Sequence, residues 1–315
     1  MWKSVLDTYD LLDSPGVDGE KAAVVLRSAG GTKVEIERLW GPSNRSTDVV
    51  KVVLPGRSGR GRGGSAPTLG IVGMLGGVGA RPERTGFVSD GDGALAALAC
   101  ALKAVRSAAK GDHLEGDLIV STHICPSSPT RLHDPVPFMS SPVELNSLLE
   151  HLVDERMEAI LSIDATKGNR VINWRGFAIS PPVREGWILR VSPDLLALME
   201  AVSGHPARVL PITMQDITPY GNGIFHINSI MQPAVITPAP VVGVAVTAET
   251  AVAGSATGAS RLHEVEEAAR FCLEVAKAFG RGDCRLVDDE EYRRLVDLYG
   301  SMSHLSQRKG GEGRS

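Results

Sequence analysis

The sequence predicts an α/β fold in which helices cover both faces of a mostly parallel, mixed sheet, which is a three-layer α/β/α sandwich. Short apolar runs alternate with helical patterns along the whole chain, as in the apolar run at residues 68–73 and the alanine- and leucine-rich stretch at residues 94–105. Strands that alternate with helices are typical of a parallel sheet. No linker divides the chain, so we expect one domain over residues 1–306 and a disordered tail at residues 307–315.

Composition is that of an ordinary globular protein, since 43% of the 315 residues are hydrophobic and 22% are charged. The formal net charge is −4 and both signs are interspersed. A nucleic-acid or anionic-membrane partner would require a basic face, so we expect neither. No apolar run reaches the roughly 18 residues that a membrane span needs. We expect a small-molecule or short-peptide ligand, and homo-oligomerisation stays open.

The cysteines and the first residues of the chain bear on its compartment. The four cysteines show neither CxxC spacing nor a dense disulfide pattern, which is typical of a reducing environment. The first residues soon reach Asp7 and Asp10, so they lack the apolar core of a signal peptide. We expect a cytoplasmic protein.

The first third of the chain predicts two helices and two paired strands. Apolar residues at helical spacing predict a helix at residues 3–12, and Asp18 is expected to cap a second helix. The alternating residues 34–37 and the apolar run at 48–54 predict a pair of strands. The glycine-rich residues 55–67 predict a surface loop.

The remaining chain repeats the pattern of strand, loop and helix. The apolar run at residues 68–73 ends in a glycine-rich turn, and two aspartates then open the long helix of residues 94–105. Five prolines at residues 126–142 predict a rigid loop. Further strands are predicted at 117–122, 159–164, 209–212 and 239–246, and further helices at 143–152, 193–202 and 262–279.

Three aspartates are the strongest candidates for a site. Asp90 and Asp92 lie where a strand gives way to a helix, and Asp164 ends a buried strand. Acids at such junctions either cap the helix or bind a cation. Because the carboxyl ends of parallel strands meet at one edge of a sheet, we expect Asp90, His123 and Asp164 to converge as metal ligands.

His123 and Cys125 alternate at the end of another predicted strand, so both side chains would point to one face. Such a pair suits a soft divalent metal such as zinc, or a thiolate activated by an imidazole. The competing interpretation is a buried structural pair, because a lone cysteine usually behaves as a small hydrophobe.

Four more residues are candidates for binding a substrate. Gly76 and Gly77 allow the backbone to pass close to a ligand, although the turn that contains them is not a P-loop, because no Gly-Lys-Ser/Thr follows. His133 lies in the proline-rich loop beside an aspartate. His226 lies in an alternation of polar and apolar residues and is equally consistent with a structural role.

The order of these features resembles the co-catalytic zinc aminopeptidases of the glutamyl-aminopeptidase type. The resemblance implies a zinc-exopeptidase-like fold, with Asp90 at the position of the bridging aspartate and Asp164 at that of a later aspartate ligand. The similar segments are a Pro-Gly-Val turn at residues 14–20, the strand and turn at 68–79, the acid-led helix at 89–98, the strand at 159–164, and the final strand, loop and helix at 241–267.

The chain departs from that family at three positions. It has Leu75-Gly76 in place of the first histidine, Cys125-Pro126 in place of the catalytic glutamate pair, and Gly254-Ser255 in place of the last histidine. The resemblance therefore implies a peptidase scaffold with a degenerate metal site.

A second resemblance covers nearly the full length. The chain is similar to a family of uncharacterised bacterial and archaeal proteins, the one numbered 1177 among domains of unknown function. The phrases that carry this similarity lie at residues 69–73, 121–126, 162–170 and 215–223. This resemblance implies no activity.

Three functions remain open at this point. The first is a metal-dependent hydrolase of a small amide or peptide substrate, which would bind zinc or manganese through Asp90, His123 and Asp164. Asp92 would be its general base, and Cys125 a fourth ligand or a neighbour. The second is a non-catalytic binding or regulatory protein on a degenerate peptidase scaffold. The third is a metal-free enzyme with Cys125 as nucleophile and His123 or His133 as base.

Overall fold

A computed structural model gives the structure of the protein and describes residues 1–132, 136–167, 170–226, 229–255 and 260–305. The helices are α1 (Trp2–Asp13), α2 (Gly19–Ser28), α3 (Asp92–Ala108), α4 (Leu145–Leu152), α5 (Pro193–Ser203), α6 (Leu262–Arg281) and α7 (Asp289–Tyr299). The strands are β1 (Val34–Trp40), β2 (Ser46–Leu54), β3 (Leu69–Gly73), β4 (Leu118–Ile124), β5 (Thr130–Arg131), β6 (Phe138–Met139), β7 (Ala159–Thr166), β8 (Gly176–Ile179), β9 (Val183–Arg184), β10 (Trp187–Ile188) and β11 (Val241–Thr247).

The main sheet has the strand order β1-β2-β4-β3-β7-β11-β9-β10, and β8 pairs with β11 outside this path. The four central strands β4, β3, β7 and β11 are parallel to one another, whereas β1, β2, β8, β9 and β10 pair in antiparallel fashion at the two sides. A short hairpin of β5 and β6 forms a second sheet. The predicted mixed, mostly parallel sheet is confirmed.

Helices cover both faces of the sheet, as the prediction of three layers requires. Helices α1, α2, α3, α5 and α6 pack on one face, where residues such as Leu95 and Phe271 are fully buried. The other face is covered by α4 and by the segment around residues 230–236, through residues such as Leu148 and Met231. Because both faces are covered, the central strands carry apolar side chains on both sides. In the sequence they are therefore continuous apolar runs.

Two helix caps and one predicted strand illustrate how local chemistry sets the elements. The carboxylate of Asp18 accepts a hydrogen bond from the Lys21 amide at 2.8 Å and caps α2. The Ser192 hydroxyl accepts one from the Leu195 amide at the start of α5. The predicted strand at residues 209–212 is wrong. Val209 forms one isolated bridge to Ile179, and Pro211, which has no N–H, cannot continue a ladder.

The parallel strands bring their carboxyl ends to one edge of the sheet. Gly73, the last residue of β3, pairs with Thr122 of β4 and Ile163 of β7. Thr166 of β7 pairs with Thr247, the last residue of β11. The loops that follow these strands therefore meet above the same edge, and the candidate site lies there.

Two expectations about the extent of the chain are not tested by this structure. The single domain over residues 1–306 stays a prediction, and the tail at residues 307–315 lies outside the described residues. None of the helices in the described part of the chain has the length and apolar character that a membrane crossing requires.

Candidate functional site

The first turn of α3 lies directly on the ends of two strands. A Cβ atom added to Gly93 would lie 2.5 Å from the carbonyl oxygens of both Met74 and Ile163. Only glycine permits this approach. As a result, the aspartates on either side of Gly91 are held against the end of β7, where Asp164 is located.

Asp90 is held by backbone groups rather than acting as a helix cap. Its carboxylate accepts a hydrogen bond from the Met139 amide at 3.0 Å, and its own amide donates to the Gly254 carbonyl at 2.9 Å. The N-cap position of α3 is occupied by Gly91, which has no side chain, so the capping interpretation of Asp90 is wrong. Gly254 packs against the carboxylate, since an added Cβ would lie 1.7 Å from Asp90 Oδ1.

Asp92 is fully buried and bonded through both carboxylate oxygens. Oδ2 forms an ion pair with Lys167 Nζ, and Oδ1 accepts a hydrogen bond from the Ser260 hydroxyl at 2.6 Å. The ammonium group of Lys167 is equally buried. A carboxylate held in this way is a structural anchor, and it is poorly placed to accept a proton from a ligand.

Asp164 lies near the end of β7 and is buried as well. Its Oδ2 accepts a hydrogen bond from the Ser229 hydroxyl at 2.7 Å, and its Oδ1 accepts one from the Ala165 amide at 2.7 Å. Among its neighbours on the same face of β7, the hydroxyls of Ser162 and Thr166 are buried without a hydrogen-bond partner in the described part of the chain.

We call Asp90, Asp92, Asp164 and Lys167 the acidic cluster. The pKa of Asp164 is raised to about 7, mainly by burial and also by the negative charges of Asp90 and Asp92, while the hydrogen bonds from Ser229 and Ala165 oppose the rise. Burial raises the pKa of Asp90 to about 6, with Asp92 adding to the effect and Lys167 opposing it. Three carboxylates face one ammonium, and the excess of negative charge is what a bound cation would neutralise.

The acidic cluster has oxygen donors for a metal but not the expected set. Among the described residues, no group of three or more His, Cys, Asp or Glu side chains is arranged to hold a metal ion. Asp90 and Asp164 remain as candidate ligands, because each carboxylate oxygen has two lone pairs and each hydrogen bond described above uses only one of them. Carboxylates and water suit manganese or magnesium, whereas zinc prefers nitrogen and sulfur.

His123 is bound within the sheet by both nitrogens. Its Nε2 accepts a hydrogen bond from the Gly76 amide at 2.8 Å, so Nδ1 carries the proton and donates to the Thr47 hydroxyl at 2.8 Å. That hydroxyl donates in turn to the Ile124 carbonyl at 3.1 Å. Burial lowers the pKa of His123 to about 4 and keeps the ring neutral. In this conformation His123 has no lone pair for a metal and cannot act as a base, so the buried structural interpretation fits it.

Cys125 is a buried thiol beside the same turn. Burial raises its pKa above the ordinary value, and the hydrogen bond with Ser128 opposes this only in part. A nucleophilic cysteine requires the opposite shift, which a nearby positive charge or metal would cause. The geometry therefore does not support Cys125 as a nucleophile.

We expect Cys125 to resist alkylation. Iodoacetamide at pH 7.5 should modify the native protein no faster with chelator than without it, because burial holds the thiol protonated. Mass spectrometry of the Cys125 peptide after timed labelling measures this, with the denatured protein as the reactive control. Rapid labelling of native Cys125, or labelling that only metal prevents, would contradict the structural assignment.

The glycine turn packs tightly and leaves no space for a ligand at its two predicted positions. A Cβ at Gly76 would lie 1.5 Å from the His123 carbonyl oxygen, and one at Gly77 would lie 2.1 Å from Met139 Sδ. Both glycines thus serve close packing. His133 lies outside the described residues, and the ring of His226 stacks on that of Tyr220.

Sequence reasoning missed two residues that shape the acidic cluster. Lys167 follows β7 directly, and Ser229 contacts Asp164 from a segment 65 positions away. The signal for Lys167 was its place one residue after a buried strand that carries an aspartate. Nothing local marked Ser229.

A cavity in the described part of the chain lies away from the acidic cluster. About 420 Å³ opens at the opposite edge of the sheet, between the amino ends of β3, β4 and β7, and is lined among others by Thr68, Asp117 and Glu158. Two of the acids that line this cavity are already bonded. Asp117 accepts from the amides of Gly56 and Gly61, and Glu158 pairs with Arg60. The candidate site is placed at the acidic cluster instead, because three carboxylates face one ammonium there.

The family follows from a match over most of the chain. Residues 40–309 match the family described as "Protein of unknown function (DUF1177)". The chain belongs to this family. The match confirms the second resemblance found in the sequence, and no protein of curated function matches the chain.

Solved structures show what the fold resembles. A mutant of tomato leucine aminopeptidase superposes with a TM-score of 0.51 at 11% identity, covering 86% of this chain and 61% of that one. The leucine aminopeptidase of Caenorhabditis elegans gives a TM-score of 0.51 at 12% identity, covering 90% and 65%. This chain therefore spans less than two thirds of each aminopeptidase. At such low identity the likeness shows the fold alone, and it confirms the expected aminopeptidase-like scaffold.

Proposed function

We propose that the protein binds a hard divalent cation, manganese or a similar ion, at Asp90 and Asp164 and hydrolyses a small amide or peptide bond with it. The observation that carries the cation is the excess negative charge of the acidic cluster. The hydrolytic half rests on the likeness of the scaffold to aminopeptidases, which is an analogy of fold.

The chain's own residues would divide the work as follows. Asp90 and Asp164 would hold the ion, which supplies a polarised water for attack on a carbonyl group. Ser229 orients the Asp164 carboxylate, and Lys167 neutralises Asp92, so that the latter does not compete for the ion. Asp92 is therefore removed from the role of general base that its sequence position suggested.

Manganese replaces zinc in this proposal for a reason of donor chemistry. Zinc prefers nitrogen and sulfur ligands such as His123 or Cys125. The structure commits His123 to Gly76 and Thr47, and burial raises the pKa of the Cys125 thiol. Hard cations accept a site of one or two carboxylates completed by water and substrate.

A second candidate function is ligand binding without hydrolysis. The observation that favours it is the lack, among the described residues, of a group of three ligands. Purification without chelator or metal-binding tag, followed by elemental analysis and an assay on simple amino-acid amides, separates the two. Bound metal with turnover supports hydrolysis, and binding without turnover supports the second candidate.

Asp90→Asn is expected to abolish stabilisation by manganese. Wild type should melt at a higher temperature with excess MnCl₂ than with chelator, because the ion binds only the native state, and a concentration 100 times Kd stabilises by about 2.7 kcal/mol. The variant keeps a carbonyl oxygen for the Met139 amide but loses the charge. Asp297→Asn, at an exposed position, is the matched control. Equal gains in wild type and Asp90→Asn would remove the cation from the proposal.

A further inference from the structure

A stacked pair of rings lies beside the acidic cluster. The ring of His226 stacks on that of Tyr220 with centroids 4.4 Å apart and planes 14° apart. His226 is 8% exposed, so it is buried against the protein. Tyr220 connects this pair to the cluster, because burial and then the nearby carboxylates of Asp164 and Asp216 raise its pKa.

Both ring nitrogens of His226 are buried without a hydrogen-bond partner in the described part of the chain. This differs from His123, whose two nitrogens are both bonded. Buried polar atoms are nearly always paired, so an unpaired imidazole points to a partner that the polypeptide does not supply. The Tyr220 hydroxyl also makes no hydrogen bond to the described residues, although the Tyr220 amide donates to Gln232.

The surroundings select the chemistry of that partner. Burial lowers the pKa of His226, so near neutral pH its ring is neutral and offers one donor and one acceptor. Asp164 and Asp216 act on Tyr220, and Asp216 also acts on His226, so these carboxylates disfavour a carboxylate or phosphate as the partner. An amide group is neutral and carries both a donor and an acceptor, so it satisfies these conditions.

We propose that Tyr220 and His226 form a subsite that binds an amide group of the ligand next to the acidic cluster. The Tyr220 hydroxyl and the N–H of His226 are the donors for the amide carbonyl. The subsite deepens the proposed function, on which it rests for the identity of the site, and it adds the residues that would recognise the substrate's amide.

The probe for this subsite is N-acetylglycinamide, a neutral diamide, added to protein labelled with ¹⁵N in histidine. We expect saturable shifts of the His226 ring nitrogens, which His226→Phe identifies by their loss. Ligand-observed NMR should then show affinity about tenfold weaker in His226→Phe and in Tyr220→Phe, as the loss of one buried hydrogen bond implies. Both variants keep an aromatic ring in the stack.

The controls separate this inference from the function above. His205→Phe, at an exposed histidine, should bind the probe as wild type does. Asp90→Asn should lose its thermal stabilisation by manganese and should bind N-acetylglycinamide as wild type does. Probe binding without any manganese effect would overturn the proposed cation and sustain the subsite. Unchanged affinity in His226→Phe, or shifts at other histidines only, would overturn the subsite.

Discussion

Asp164→Asn is expected to stabilise the metal-free protein by about 4 kcal/mol above pH 7, since one pKa unit corresponds to about 1.4 kcal/mol. The pKa of Asp164 rises from an ordinary value of 3.8 to about 7 on folding. The folded state therefore holds the proton more tightly than the unfolded state. The contribution of Asp164 to the free energy of unfolding is fully present below pH 3.8, and it is lost as the pH rises through about 7. Asparagine cannot ionise, so it avoids that loss.

Urea denaturation in the presence of chelator, at pH 4 and at pH 8, measures the effect. The variant should gain stability over wild type at pH 8 and show little difference at pH 4. Asp297→Asn again serves as the exposed control. Excess manganese should restore the stability that wild type loses at pH 8, because the bound ion neutralises the ionised carboxylate. It should leave the stability of Asp164→Asn unchanged. An equal shift at both pH values would mean that the carboxylate is not destabilised by ionisation.

The fold was predictable because the central strands are buried on both faces. Apolar runs such as residues 159–164 stand out in such a sheet, and their parallel arrangement follows from the helices between them. The same reasoning placed Asp90 and Asp164 at one edge. The wrongly predicted strand at residues 209–212 came from an apolar run interrupted by a proline.

The detail of the site depends on contacts that no local pattern contains. The spacing of His123 and Cys125 correctly placed both at a strand end, but the partners of His123 come from β2 and from the glycine turn. The topology of the sheet decides that β2 lies beside β4. Because Thr47 of β2 bonds His123, this candidate ligand is a hydrogen-bonded core residue. The unpaired nitrogens of His226 were equally invisible, because satisfaction of a buried group is decided by its neighbours in space.

Lys167 carries the positive charge that partly offsets the three carboxylates of the acidic cluster. Its ammonium and the Asp92 carboxylate are both almost inaccessible to water. Burial also raises the pKa of Glu264, and Lys167 is the strongest influence that lowers it, so the same ammonium faces α6 as well. Removing this charge leaves buried carboxylates without their principal cation.

Lys167→Met is expected to destabilise the protein at pH 7.5 by about 3–5 kcal/mol, the cost of breaking one side of a buried ion pair. Methionine preserves most of the side-chain volume, so the loss of stability measures the effect of removing the positive charge. Lys167→Met/Asp92→Asn should recover most of it, because Asn keeps an acceptor for the Ser260 hydroxyl and carries no charge. A double-mutant cycle by urea denaturation measures the coupling between the two positions.

The same Lys167→Met variant should be stabilised more by manganese than wild type is, since the acidic cluster has become more negative. If the losses of Lys167→Met and Asp92→Asn simply add, and manganese acts equally on both proteins, then Lys167 does not set the charge that the proposed cation site depends on.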